Sequence, residues 1–194
     1  MMLNAKKTKS MQFNFSRNLH FKTDLLLGNQ KIENVQEIKL LGLILTSDLC
    51  WDKNTDYLVK DANKRMLMLH AASKFTSDKQ VLKQIYYSRI KCKLDQSAVV
   101  LNGSFTQKNV NDLERVQKDA IRIICGKNYE SYSHTLKELG MKTLSERREY
   151  LCLKFAKKSL RTVNFGHLFP ISTKRHLMRT RGSHMYKIRQ GFSE

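Results

Sequence analysis

The chain has 194 residues, of which 36 are Lys or Arg and 17 are Asp or Glu, giving a formal net charge of +19 at pH 7. This length permits one ordinary domain or two small units, and 41% hydrophobic residues exclude an intrinsically disordered chain. The charge favours a polyanionic partner, either nucleic acid or an anionic membrane surface, with a basic but solvated surface as the alternative.

A membrane is the weaker of these partners. No apolar run approaches the roughly 20 residues that span a bilayer, and the basic N-terminus lacks the apolar segment of a secretory signal. We therefore expect no membrane association and an intracellular location, in the nucleus or the cytoplasm.

The first 51 residues have the pattern of β-structure. Residues 10–15 alternate apolar and polar side chains, as a half-buried strand does. Residues 25–27 lead into the turn signal Gly28-Asn29, and residues 31–35 can form the returning arm of a hairpin. A longer apolar run follows, interrupted by Gly42.

After Asp52 the periodicity becomes helical. Asp52 is expected to cap a helix that runs to about Phe75, whose apolar stripe comprises Tyr57, Leu58, Ala62, Met66 and Leu69. Ser77 is expected to cap a second helix, with Val81, Leu82, Ile85, Tyr86 and Ile90 on its inner side.

The later helices carry clearer start and stop signals. Thr106 precedes a long helix that Gly126 ends, and a short helix is expected over residues 133–139. Residues 143–146, Thr-Leu-Ser-Glu, form a capping box that opens a helix whose apolar positions are Leu151, Phe155 and Leu160. Residues 171–194 are basic without amphipathic order, which predicts a flexible tail.

The motifs of several enzyme classes are absent from the sequence. It contains no phosphate-binding G-x-x-x-x-G-K-[ST] loop, no G-x-S-x-G, no H-E-x-x-H and no two adjacent aspartates. The four cysteines are far apart in sequence, which argues against a zinc site or a disulfide framework. We therefore assign no catalytic residue and no metal ligand.

Six stretches, in this order, resemble the later part of the reverse transcriptases of non-LTR retrotransposons. They are L-N-A-K-K-T-K-S-M-Q-F at 3–13, I-K-L-L-G-L-I-L-T-S-D-L-C-W at 38–51, D-A-N-K-R-M-L-M-L at 61–69, L-E-R-V-Q-K-D-A-I-R-I-I-C-G at 113–126, T-L-S-E-R-R-E-Y-L-C-L-K-F-A-K-K at 143–158 and H-L-F-P at 167–170. Each stretch is modest alone, and their shared order gives the signal.

The resemblance implies an α+β fold, with a short antiparallel β segment followed by a mainly helical bundle. Residues 1–51 would be the end of the polymerase palm with a primer-grip-like hairpin, and residues 52–170 the thumb and the region after it. In that family the catalytic aspartates lie just upstream of L-N-x-x-K-T. The chain would therefore begin after them and be inactive alone, binding none of the Mg²⁺ that the complete RNA-directed DNA polymerase would use.

The resemblance also implies contacts with nucleic acid at three residues of the β segment. Leu41 and Gly42 would form the turn of the primer-grip hairpin, where a residue without a Cβ lets the main chain approach the primer strand. A β-bulge or close packing under Trp51 is the alternative for that glycine. Lys7 matches a lysine near the phosphates of the incoming nucleotide, although the adjacent Lys6 is an equal candidate.

Two rows of cations are expected on the thumb-like helices, where they would follow the phosphates of a duplex without reading its bases. The solvated outer face of a bundle is the alternative. The first row is Lys60, Lys64 and Arg65, and the second is Arg115, Lys118 and Arg122.

The expected function is sequence-independent binding of RNA or DNA, in particular an RNA–DNA duplex, by an inactive reverse transcriptase fragment. Two alternatives remain open. One is a stand-alone basic helical protein that packages or chaperones nucleic acid, and the other is a transposon remnant without function, made insoluble by the unpaired edge of its β segment.

Overall fold

A computed structural model describes residues 4, 7–13 and 24–162. The chain divides into one unit of Met1–Ala156 and a second of Lys157–Glu194, of which residues 157–162 are described. The predictions for residues 14–15 and for the tail at 171–194 lie outside the described residues.

Six short strands form two-stranded sheets in the described part of the chain. They are β1 (Lys9–Ser10), β2 (Leu26–Leu27), β3 (Gln30–Lys31), β4 (Glu33–Asn34), β5 (Glu37–Leu40) and β6 (Leu43–Thr46). Strands β2 and β3 form the predicted hairpin, and β5 pairs antiparallel with β6. Strand β1 instead pairs in parallel with β4, with Lys9 opposite Glu33 and Ser10 opposite Asn34. The prediction of an antiparallel segment was wrong for this pair.

The rest of the described chain is helical. Its α-helices are α1 (Asp52–Ser73), α2 (Lys79–Ile85), α3 (Cys92–Leu94), α4 (Ala98–Leu101), α5 (Gln107–Cys125), α6 (Tyr132–Glu138) and α7 (Leu144–Arg161). A π-helix (Tyr86–Lys91) joins α2 to α3, and a 3₁₀-helix (Gly126–Asn128) follows α5. The mixed α+β, helix-rich class is therefore confirmed.

Several helix termini follow the sequence signals. The Thr106 hydroxyl accepts the amide of Asn109 at the start of α5. Thr143 and Glu146 form the reciprocal capping box, with N···O distances of 3.0 and 3.2 Å. Helix α2 begins differently from the prediction, because Asp78 rather than Ser77 caps it, accepting the amide of Gln80 across 2.8 Å.

The hydrophobic core lies between the helices, with α1 packed along α5. The predicted stripe of α1 is buried at Leu58, Ala62, Met66 and Leu69. The other core residues are Leu82, Tyr86, Ile90, Leu94, Leu113, Val116, Ala120, Ile121, Ile124, Cys125, Leu136, Leu139, Met141 and Leu144.

Three apolar side chains of the predicted helix patterns are exposed. Val81 is 41% exposed, Phe155 50% and Leu160 48%. Val81 lies one residue before the buried Leu82, so it turns away from the core on a helix of 3.6 residues per turn. No described helix combines the length and apolarity that crossing a membrane requires.

Candidate nucleic-acid interface

Leu41 and Gly42 form the two-residue turn between β5 and β6. Their φ angles are +50° and +86°, the left-handed values that a type I′ turn requires at both central positions. Glycine adopts them without steric cost, whereas leucine does not. The Leu41 side chain is 90% exposed at the tip. The run around Gly42 is therefore a hairpin rather than a bulged strand.

The open side of Gly42 is occupied by another side chain. A Cβ at this position would lie 2.3 Å from Nε2 of Gln96, and the nearest atoms all belong to Gln96 rather than to Trp51. The same amide donates to the Leu41 carbonyl across 3.3 Å, and Lys93 donates to Gln96 Oε1 across 3.4 Å. The main chain at Gly42 is thus covered on that side, and Leu41 is what the turn presents outward.

Helix α1 holds the hairpin in place. The amide of Ile44 donates to Oδ1 of the buried Asn54 across 3.0 Å. Lys39 donates to the hydroxyl of Tyr57 across 2.7 Å, and its ammonium lies 4.2 Å from the centre of that ring. A two-stranded hairpin is marginal alone, so these contacts with a helix give it a fixed position.

The three cations predicted on α1 lie in different environments. Lys60 and Lys64 are exposed. Arg65 is partly buried, with its Nε 3.0 Å from Asp61 and a terminal nitrogen 3.4 Å from the Arg89 carbonyl. The structure therefore leaves the two lysines accessible to a ligand, whereas Arg65 is engaged within the protein.

The three cations predicted on α5 are all exposed. The ammonium of Lys118 lies 5.3 Å from the Tyr132 ring centre, and the guanidinium of Arg122 lies 5.5 Å from that of Tyr129. Arg122 also pairs with Asp119 across 3.0 Å. These contacts orient the cations without burying them.

A surface cavity of about 370 Å³ lies between α1 and α5. Of the six predicted cations of the two helices, Arg115 alone lines it. Three carboxylates are also at its wall, and the lining residues are Asp56, Val59, Asn63, Asp112, Arg115, Val116 and Asp119. Negative charge therefore lies beside Arg115, which sequence reasoning missed although positions 112, 115, 116 and 119 have the spacing of one helix face.

Lys7 is exposed within a turn whose amide donates to the Asn4 carbonyl across 3.1 Å. Among the residues described, no hydrogen bond or ion pair joins its side chain to the hairpin or to either row. Lys6, the other candidate, lies outside the described residues.

The described side chains contain no group of three or more His, Cys, Asp or Glu residues arranged to hold a metal ion. Comparison with protein-family models, with curated proteins and with solved structures gives no match. The resemblance to reverse transcriptases therefore remains a prediction from the sequence motifs.

Proposed function

We propose that this protein binds nucleic-acid duplexes without sequence preference, as the thumb-like part of a non-LTR-type reverse transcriptase. The chain carries no adjacent aspartates, so it binds template and primer without extending the primer. Five of the six predicted thumb cations are exposed on two helices that pack against each other, and this observation carries the proposal.

The chemistry of those side chains supports phosphate contacts rather than base readout. Lysine and arginine displace condensed counterions when they approach phosphates, and this gain is independent of sequence. The exposed tip at Leu41 lies on the hairpin that contacts α1, so an apolar side chain is available beside the duplex. The carboxylates of the cavity limit the net attraction at its centre.

The test is a titration of the purified full chain with a fluorescent RNA–DNA primer–template at several salt concentrations. Binding should be detectable near 50 mM salt and should weaken by about a hundredfold or more by 200 mM, equally for two unrelated sequences of one length. Absence of binding near 50 mM salt, or strong preference for one sequence, would contradict the proposal.

A stand-alone nucleic-acid-binding protein is the second candidate. It is favoured by the main hydrophobic cluster, whose described members run from Leu58 to Leu144 and lie in or between the helices. Deletion of residues 1–51 distinguishes the two candidate functions. The stand-alone module keeps its affinity without them, whereas a thumb that depends on the hairpin loses affinity while the helices stay folded by circular dichroism.

A further inference from the structure

The helical segment with the highest net positive charge in the described chain lies outside the two predicted rows. The continuous helical segment from Lys79 to Leu94 has five Lys or Arg residues and no Asp or Glu. Helices α1 and α5 each have four basic and three acidic residues. The strongest field for an anion is therefore expected along α2, the π-helix and α3.

Four side chains form a cluster on this segment and the first turn of α7, and we call it the Tyr87 cluster: Lys83, Tyr87, Lys91 and Arg147. The ammonium of Lys91 lies 4.5 Å from the centre of the Tyr87 ring, and that of Lys83 lies 5.7 Å from it. Arg147 acts electrostatically on both Tyr87 and Lys91. All four are partly buried, so their positions are restricted before any ligand binds.

The charges of the cluster are incompletely balanced. Asp95 accepts from Arg147 Nε across 3.2 Å, and Lys83 donates to the Leu139 carbonyl. Lys91 has no hydrogen-bond acceptor among the described residues, and the Tyr87 hydroxyl has no partner there either. Three cations with one carboxylate leave an excess of two positive charges beside two unused donors.

The environment of Lys91 makes this excess costly. Burial lowers the pKa of Lys91, and the charges of Arg147 and Lys83 lower it further, while Asp95 opposes them. A partly buried ammonium without an acceptor is stabilised by any anion that reaches it. The wider turn of a π-helix carries both Tyr87 and Lys91, and such turns are frequent at functional sites.

We propose that the Tyr87 cluster is a phosphate-binding site that holds a phosphodiester of the bound nucleic acid, in addition to the contacts of α1 and α5. This inference rests on the proposed function, because it names a second contact with the same ligand. Lys91 supplies the point charge, and the Tyr87 hydroxyl donates a hydrogen bond. The ring is already contacted by two ammonium groups, so it is a donor here and not a platform for a stacked base.

The test is acetylation footprinting of lysines in the wild-type full chain, read by mass spectrometry, with binding measured by fluorescence anisotropy in the same samples. Saturation with an RNA–DNA duplex should lower acetylation of Lys91 by about threefold or more, in keeping with direct phosphate contact. Lys137, exposed on α6, is the internal control and should be unaffected.

Four outcomes can overturn the site. If the duplex binds and protects Lys60 but not Lys91, the Tyr87 cluster does not contact the duplex, and the proposed function stands. If no binding occurs, both proposals fail. Equal protection by inorganic phosphate at the same phosphate concentration, or protection by phosphatidylserine vesicles alone, would mean that nucleic acid is not the ligand.

A variant gives an independent reading. Lys91→Met should weaken duplex binding and lower the slope of log K against log salt by about one, as expected for one lost phosphate contact. Lys137→Met removes the same charge from α6 and should leave the slope unchanged. Equal slopes for Lys91→Met and wild type would overturn the assignment.

Discussion

Tyr86 donates a hydrogen bond to Oε1 of Gln117 across 2.8 Å, with both side chains fully buried. Nε2 of Gln117 donates in turn to the Tyr132 hydroxyl and the Lys142 carbonyl, at 3.0 and 2.9 Å. Tyr132 donates to Glu114. This chain of bonds joins the π-helix to α5, α6 and the segment before α7, so it fixes the frame on which the Tyr87 cluster and the α5 cations are held.

Loss of the central amide is expected to be the most damaging change in this network. Gln117→Leu leaves the buried Tyr86 hydroxyl without its acceptor and the Lys142 carbonyl without its donor, so we expect a loss of about 2–4 kcal/mol of unfolding free energy. Urea denaturation measures it.

Tyr86→Phe serves as the milder comparison and should cost about 1 kcal/mol, because it removes a donor and leaves only one acceptor unpaired. Tyr150→Phe, at a ring that is 46% exposed, should be close to neutral. Equal stabilities of Gln117→Leu and Tyr150→Phe would contradict the network.

Gly42→Ala tests the turn and its contact with Gln96. Two costs are expected, the strain of the left-handed backbone and the loss of the hydrogen bond from Gln96 to the Leu41 carbonyl when Gln96 moves away from the new Cβ, together about 1–3 kcal/mol. Gly28→Ala is the matched control, since Gly28 also has a positive φ, +61°, but nothing within 4 Å of its Cβ position.

The difference between these two glycine variants isolates the collision. Combining Gly42→Ala with Gln96→Ala should remove that difference and leave only the backbone cost. If the stability losses of Gly42→Ala and Gln96→Ala add fully, or more than add, in the double variant, the Gln96 contact is not what the glycine serves.

We expect the loop before α1 to be less stable in acid because of Asp48. Hydrogen bonds from the Thr46 hydroxyl and the Cys50 amide, at 2.6 and 3.0 Å, lower the pKa of Asp48 from 3.8 to about 2. Since the folded pKa lies below the ordinary value, the carboxylate stabilises the fold above about pH 4, and this contribution disappears as the pH falls toward 2.

The measurement is the pH profile of unfolding for wild type and Asp48→Asn. Wild type should be the more stable at pH 6, and the gap should narrow as the pH approaches 2. If the difference in stability between the two proteins is the same at pH 6 and at pH 2, the lowered pKa of Asp48 is not its cause.

The local elements of this fold were accessible from sequence, whereas the contacts that shape the site were not. Helix α1 begins at Asp52, although Trp51 and not Asp52 is at the N-cap and no side chain caps the helix. The Thr143 capping box is formed as predicted, because it depends on residues a few positions apart. Gln96 donates to the Leu41 carbonyl from 55 positions away and covers Gly42, and Arg65 reaches the carbonyl of Arg89. Such contacts depend on how helices pack, which periodicity does not specify.

The cations of α1 should differ in their effects on binding and on stability, because their surroundings differ. Replacing both Lys60 and Lys64 with Met should lower the salt slope of duplex binding by about two and leave stability almost unchanged, since both side chains are exposed. Arg65→Met should do the reverse, because its guanidinium is bound to Asp61 and to the Arg89 carbonyl. Salt titrations and urea denaturation of the same proteins give both quantities.

We expect the aspartates of the α1–α5 cavity to weaken duplex binding. Asp112 lies at the wall of the cavity beside Arg115, and its negative charge repels a phosphate placed across the two helices. Asp112→Asn should therefore tighten duplex binding near 50 mM salt by about threefold, with the gain shrinking at 200 mM because salt screens exposed charges. Asp24→Asn, in the β segment, changes net charge equally and should have no such effect. If both variants tighten binding alike, overall charge controls affinity and the duplex does not lie across this cavity.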